Sequence, residues 1–488
     1  MNIQSSIKAF LAHISPPFRA TGVFRAATGV AAAPQRGANP HSRRRARLGV
    51  GFLLLSLPLW GGLGWGSEWG TTLHAQQLHR YNPDFGLSAE NFCDTICIEV
   101  EDDLILIPVQ IGGKEYRFCL DTGSSQGMVY ANNNISSLVP LGNIISRDAN
   151  NHVDTVRVVQ LPSFTFATQH TPLTISGYVA SLMPRQSISA KYDAIIGFDL
   201  FNRGLCAKID KERGMLILTD SKQYFQAEEA AGHTLRYKLK WFVPYLYVSP
   251  FVRHTDEALF DTGSAPLYTM SKQSFDEHLQ NDLTPPTLLQ KIFNPKAAYG
   301  KNANEVERQV EGRAEGHLSL GGFGLEKKDE VVFLHLDRLK WGDFAFTDLR
   351  TITTQGASKI GARLLDYGSV VINPFRKQIT FLPYLAASDS LPTGEDWGGA
   401  SSVTVGNKQF SVAFVPYRGQ AVVGLIWEGS QPYKAGMRQG DIIQQIDQRP
   451  IATYADFLRF RFIRGESHRF RLLTREGTEK TVECIIKE

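Results

Sequence analysis

A tetrapeptide recurs in this chain, and any fold proposed for it must account for both copies. Asp121-Thr122-Gly123-Ser124 returns 140 residues later as Asp261-Thr262-Gly263-Ser264. Each copy closes an apolar, β-rich stretch, IPVQIGGKEYRFCL before the first and YLYVSPFVRHTDEALF before the second. A second echo follows in the same order. Ile196-Gly197-Phe198-Asp199-Leu200-Phe201 is matched by Ile360-Gly361-Ala362-Arg363-Leu364-Leu365, and the alignment runs on without a gap through Gly204 and Gly368. The offset at this second landmark is 164, so the later copy is 24 residues longer between its landmarks, with residues 281–312 the natural place for the excess. Two landmarks recurring in order, among short β-rich runs broken by Gly, Pro, Asn and Asp, imply duplicated halves.

Taken singly, Asp-Thr-Gly-Ser is a good turn sequence for closing a hairpin. The matched pair resembles the paired Asp-Thr-Gly turns of the aspartic peptidases, and the resemblance implies their chemistry. Two carboxylates about 3 Å apart cannot both ionise cheaply, so they hold one proton between them over a wide pH range. The ionised member can then accept a proton from water while the protonated member hydrogen-bonds a carbonyl oxygen. Asp121 and Asp261 are the candidates for those two roles. Gly123 and Gly263, lacking a Cβ, permit the close approach this requires. Ser124 and Ser264 are expected to hydrogen-bond the outer carboxylate oxygens. A competing motif, Gly123-Ser124-Ser125-Gln126-Gly127, fits the serine-hydrolase elbow, but that elbow needs a helix after it. VYANNNISSLVP does not read as a helix, and the second copy has Ala265 where the first has Ser125.

Over roughly residues 100–384 the chain resembles the aspartic peptidases of the retropepsin-like and pepsin-like families. The residues that carry the resemblance are the two Asp-Thr-Gly-Ser turns and the steps Ile195-Ile196-Gly197 and Lys359-Ile360-Gly361. The last step departs from the family at Lys359, where an apolar residue is usual. The resemblance implies a two-lobed, acid-protease β-barrel-like domain with both halves in one polypeptide. It also implies that Thr122 and Thr262 bond to the opposite loop and lock the pair. It further implies a covering hairpin, near 145–158 in the first copy and at Gly316 to Gly324 in the second. A polypeptide held extended would be the substrate, with no metal or organic cofactor.

After Tyr384 a polar stretch reads as a linker. The segment that follows runs as strand (FSVAFVPY), strand (AVVGLIWE), helical turn (PYKAGM), strand (IIQQID), helix (TYADFLRFRFI) and a final hairpin. It resembles a PDZ domain of the bacterial protease-associated type, on Ala421-Val422-Val423-Gly424, Ala435-Gly436-Met437, Gly440-Asp441-Ile442-Ile443 and Ile446-Asp447. In that family a peptide adds as an extra strand. The resemblance therefore implies a peptide groove between about 421–427 and the helix at 453–463, with Ala421, Val422 and Val423 on one wall. Arg418 and Gly419 would lie in the loop that takes a terminal carboxylate, although the family's loop has apolar residues beside the glycine.

The formal charge of +4 does not point to nucleic acid. Residues 1–67 hold eight Lys or Arg and no acid, and beyond Ala75 there remain 44 basic against 47 acidic side chains. The positive charge sits in the leader and not on a folded face. Arg43 to Arg47 followed by the apolar run Leu48 to Trp65 has the layout of an export signal, cut before Gln76. The run is also nearly long enough for an anchor helix, so membrane attachment through it stays open. Either way the body is expected outside the cytoplasm: periplasmic, envelope-associated or secreted. Five cysteines do not make a disulfide framework in a chain of 488 residues, and Cys93 and Cys97 could bridge only if their segment turns. No Cys/His spacing resembles a zinc site.

The expected organisation is therefore a leader at 1–75, halves at 76–222 and 223–385, a linker at 386–405 and a small α+β PDZ module at 406–488, mainly β throughout. The expected activity is that of an exported aspartic endopeptidase whose PDZ module binds peptide or regulates access. The alternative is a catalytically silent peptide-binding scaffold of the cell envelope.

Overall fold

A computed structural model describes residues 84–486 apart from 102, 132–133, 149–150, 184–191, 284–303, 318–319, 322, 326, 386–389, 393–403, 408–409 and 464. The leader, its cleavage point and its possible anchor lie outside the described residues, as does most of the linker. All described residues fall within one compact unit, Ser67–Glu488. The chain is mainly β. Among the described residues no helix is long and apolar enough to cross a membrane.

The duplicated landmarks become duplicated topology. In the first half the hairpin Leu104–Ile111 and Lys114–Leu120 delivers the chain to Asp121. The second of these strands alternates charged and apolar side chains before ending in a buried Phe118-Cys119-Leu120, as a strand entering a core should. Beyond the turn, Gly127–Tyr130 leads through the hairpin Val139–Arg147 and Val153–Gln160 to Ala194–Ile196. That short strand inserts parallel to Phe118–Leu120 and antiparallel to Met128 and Val129. In the second half, Val243–Phe251 and His254–Asp261 form the matching hairpin. Ser358–Gly361 inserts parallel to Ala258–Asp261 and antiparallel to Tyr268 and Thr269. The longer second copy holds the helix Lys272–Leu283, residues 284–303 outside the described set, and the strand Val310–Gly316.

The halves meet in a shared six-stranded sheet. Its order is His233–Arg236, Gln378–Pro383, Gly368–Asn373, Cys206–Asp210, Met215–Thr219 and Cys93–Cys97. The central seam pairs Ala207 with Ile372 and Ile209 with Val370. One apolar core runs through both halves from Phe85 to Phe381. Cys93 and Cys97 lie at opposite ends of an extended edge strand, exposed and unbridged.

The C-terminal segment builds a seven-stranded sheet, with Thr404–Asn407 paired to Phe410–Tyr417. It has its own core around Phe414, Val423, Met437, Ile446, Phe457 and Phe470. A third cluster joins it to the second half: Val331, Phe333 and Ile352 pack with Ala413, Val415 and Leu425. Two expectations need correcting here. The helix expected through 463 covers only Tyr454–Leu458, because Phe460 and Phe462 leave it to pack on the core. The linker is not all irregular, since Ser390–Pro392 pairs in parallel with Ala345–Thr347.

Candidate functional site

The two Asp-Thr-Gly turns face each other across the seam between the halves. Thr122 N–H donates to Thr262 Oγ1 at 3.0 Å and Thr262 N–H to Thr122 Oγ1 at 3.0 Å. Each hydroxyl then donates across the seam, Thr122 to the carbonyl of Phe260 and Thr262 to that of Leu120, both at 2.7 Å. Four hydrogen bonds among buried groups hold the turns in one relative position, and each would be costly to leave unmade in the absence of water. Below the turns, Gly197 and Gly361 leave room for the carbonyls of Ser124 and Ser264, where a Cβ would come to 2.7 Å and 2.3 Å. The amides of Phe198 and Ala362 donate to those same carbonyls at 2.7 Å.

This clamp brings Asp121 and Asp261 together. A Cβ on Gly123 would lie 2.5 Å from the Asp261 carboxyl carbon, and one on Gly263 2.6 Å from that of Asp121. Each glycine is needed because the other half's carboxylate occupies the space beside it. Gly123 N–H donates to Asp121 Oδ1 at 2.9 Å and Gly263 N–H to Asp261 Oδ1 at 3.1 Å. Burial, then the charge of Asp261 and a hydrogen bond with it, push Asp121 up to about 8 despite the opposing pull of Lys359. Asp121 thus keeps its proton under conditions where an ordinary aspartate has lost it.

Ser124 departs from expectation. Its hydroxyl donates to the Gln126 carbonyl of the same turn at 2.6 Å. Ser264 serves through its backbone, donating N–H to the Asp261 carbonyl at 3.0 Å and accepting from Ala362. After the first turn comes the strand Gly127–Tyr130, which excludes the strand–turn–helix of a serine elbow.

Lys359, singled out in the sequence only as a departure from an apolar residue, lies against the dyad. Its ammonium lies 2.8 Å from Asp261 Oδ2, with the lysine side chain 17% exposed. Burial alone would lower its pKa, but Asp261 and Asp121 outweigh that and raise it. The departure from an apolar residue at this position was the signal, and only the strand register turns it into a contact.

On the rim, the tips of the two hairpins meet. Phe323 N–H donates to Asp148 Oδ2 at 2.9 Å. The Phe323 ring packs against a cluster that contains Leu106, Cys119, Tyr130 and Tyr192. Segments 145–158 and 316–324, both expected to cover the cleft, therefore meet through Asp148 and Phe323.

The expected peptide groove needs correction. Arg418 and Gly419 are the two central residues of the hairpin turn between Phe410–Tyr417 and Gln420–Ile426, with φ of 50° and 80°. These positive values suit a two-residue hairpin turn. Ala421, Val422 and Val423 are buried in a strand occupied on both edges. One edge pairs with Phe410–Tyr417. On the other, Val422 pairs with Ile442, Val423 bonds to Asp441 and Gly440, and the Gly424 carbonyl accepts from His317 N–H and Gln439 Nε2. An added strand has no free edge at 422–424.

Among the described residues no group of three or more His, Cys, Asp or Glu side chains is arranged to hold a metal ion. No protein-family profile matches the chain, and no curated protein is similar to it in sequence. Among solved structures it is similar to conglutin gamma, a basic 7S globulin from lupine seeds, at 11% identity and a TM-score of 0.35, covering 61% of this chain and 96% of that one. It is likewise similar to the basic 7S globulin from soybean, at 11% identity and a TM-score of 0.34, covering 59% of this chain and 94% of that one.

Proposed function

We propose that this chain is an aspartic endopeptidase in which Asp121 and Asp261 act together on a water molecule and a peptide carbonyl. The observation that carries the reading is the contact of the two carboxyl groups, held by the crossed threonine hydrogen bonds. A protonated Asp121 would donate to the scissile carbonyl oxygen as negative charge develops there, and an ionised Asp261 would take the proton from water as it attacks. Asp261 accepts from Gly263 N–H and Lys359 and faces Asp121. A carboxylate offers about four lone-pair sites, so one remains for that water. The substrate class is polypeptide, lying between the carboxyl pair and the rim formed at Asp148 and Phe323.

The C-terminal segment is read as a PDZ-like module that regulates access and does not capture peptide through 422–424. It grips the strand leading to the Phe323 rim, through Gln439 Nε2 to the Glu315 carbonyl at 2.7 Å and His317 N–H to the Gly424 carbonyl at 3.0 Å.

One observation favours the alternative of a catalytically silent scaffold: a lysine already neutralises Asp261. Cleavage of a random peptide library by the purified full chain separates the two. The wild type is expected to cleave, and Asp121→Asn and Asp261→Asn each to lose about 10²–10⁴-fold or more in turnover. Cleavage that survives either substitution would remove the peptidase reading.

A further inference from the structure

The duplicated halves are not chemically equivalent beneath their aspartates. In the first half, Ile195 stands opposite Cys119 in the inserted parallel strand. In the second, the same register position is Lys359, opposite Leu259. The internal repeat thus supplies its own reference: an apolar side chain under Asp121 and an ammonium against Asp261.

The groups around this ammonium come from several elements. Asp121 and Asp261 face it from the two turns, and Tyr245 faces it from Val243–Phe251. Behind Tyr245 lie Glu257 and Lys240, which pair with each other. On the first-half side, buried Cys119 feels both aspartates, and Tyr130 and Tyr192 feel Asp121. Burial and those charges hold the Cys119 thiol protonated, and the tyrosines are raised as well. The charges at the centre are therefore those of two carboxyls and one ammonium.

We infer that Lys359 is a positioning residue that keeps Asp261 ionised and leaves the shared proton on Asp121. Two carboxyls, one proton and one ammonium sum to no net charge, the least costly state for a site shielded from water. Asp261 Oδ2 takes the lysine's hydrogen bond and Oδ1 that of Gly263, so both of its oxygens are served as a carboxylate. Asp121 takes one hydrogen bond from Gly123 N–H and faces the Asp261 carboxyl. For turnover, the inference rests on the peptidase reading. It then fixes which carboxyl is the acid and which the base, and extends the singly protonated state toward low pH, because a nearby cation favours ionisation.

The test uses Lys359→Met, which removes the charge at similar length, and Lys359→Arg, which keeps it. With a peptide that the wild-type chain cleaves, the acid limb of kcat/KM should move upward by about 1–3 pH units in the Met variant. The Arg variant should stay near the wild type. An unmoved acid limb in a Met variant of unchanged melting midpoint overturns the inference and leaves the peptidase reading standing. A second readout needs no substrate: carboxyl-¹³C NMR of aspartate-labelled wild type, with the two signals assigned by their loss in Asp121→Asn and Asp261→Asn. Asp261 should titrate well below Asp121, and it should rise in the Met variant. The reverse order, or an Asp261 titration that Lys359→Met leaves in place, overturns the inference whether or not the chain cleaves peptides. The expected order in a chain that cleaves nothing removes the peptidase reading alone. If the Met variant does not fold, the wild-type titration order and the Arg profile decide.

Discussion

Asp121 carries a consequence for stability as well as chemistry. Burial and the neighbouring Asp261 raise it to about 8, against about 3.9 for an aspartate in an unfolded chain. Between those values the folded protein keeps a proton that the unfolded chain has released, so this residue's contribution to stability is greatest in acid and declines as pH rises through the window. The decline is at most about 1.4 kcal/mol per pH unit. Thermal melts of wild type and Asp121→Asn should therefore diverge from about pH 5 to pH 8, the variant melting progressively higher than the wild type. A constant difference across that range would contradict the assignment. Both aspartates were legible in the sequence because their tetrapeptide repeats. The role of Lys359 was not, since 98 residues separate it from Asp261 and only the pairing of Ser358–Gly361 with Ala258–Asp261 joins them.

Among the elements, the inserted strands and the crossed threonines do the positioning. Thr262→Val removes the donor to the Leu120 carbonyl and the acceptor of Thr122 N–H, leaving two buried groups unpaired. Such groups cost about 1–3 kcal/mol each, so urea unfolding should show a loss of about 2 kcal/mol or more, with turnover reduced alongside. An unchanged unfolding midpoint would mean that the clamp contributes nothing. The hairpins before each aspartate could be read from their alternation, and so could the strand order of the C-terminal segment. The peptide groove could not. Whether a strand edge is free depends on partners remote in sequence, and here His317 and Gln439 occupy the edge at Gly424. Likewise the helix expected to reach 463 is cut short by Phe460 and Phe462, whose destinations are set by tertiary packing.

Across the molecule, the two halves share one core while the C-terminal segment keeps its own. The C-terminal core is separate, and its contact with the second half centres on Trp427, which stacks on Phe333 with ring centroids 5.8 Å apart and fills the space over Gly312. Trp427→Ala should leave the rest of each core intact and weaken this joint by up to about 3–5 kcal/mol. Hydrogen exchange would report it as faster exchange in Val310–Gly316 with the central sheet unaffected. Equal acceleration everywhere would mean that the contact is not a local joint. Duplication of the halves was visible in the sequence, but their fusion through a common sheet was not, because the seam pairs strands whose local patterns give no sign of their partners.

That seam has a mechanical consequence. With Cys206–Asp210 laddered to Gly368–Asn373, the shared sheet is woven from both copies of the repeat, so the halves cannot swing apart like scissors without tearing it. By the same logic, a nick in the exposed stretch Ser221–Tyr224 would leave two fragments still clasped along that ladder.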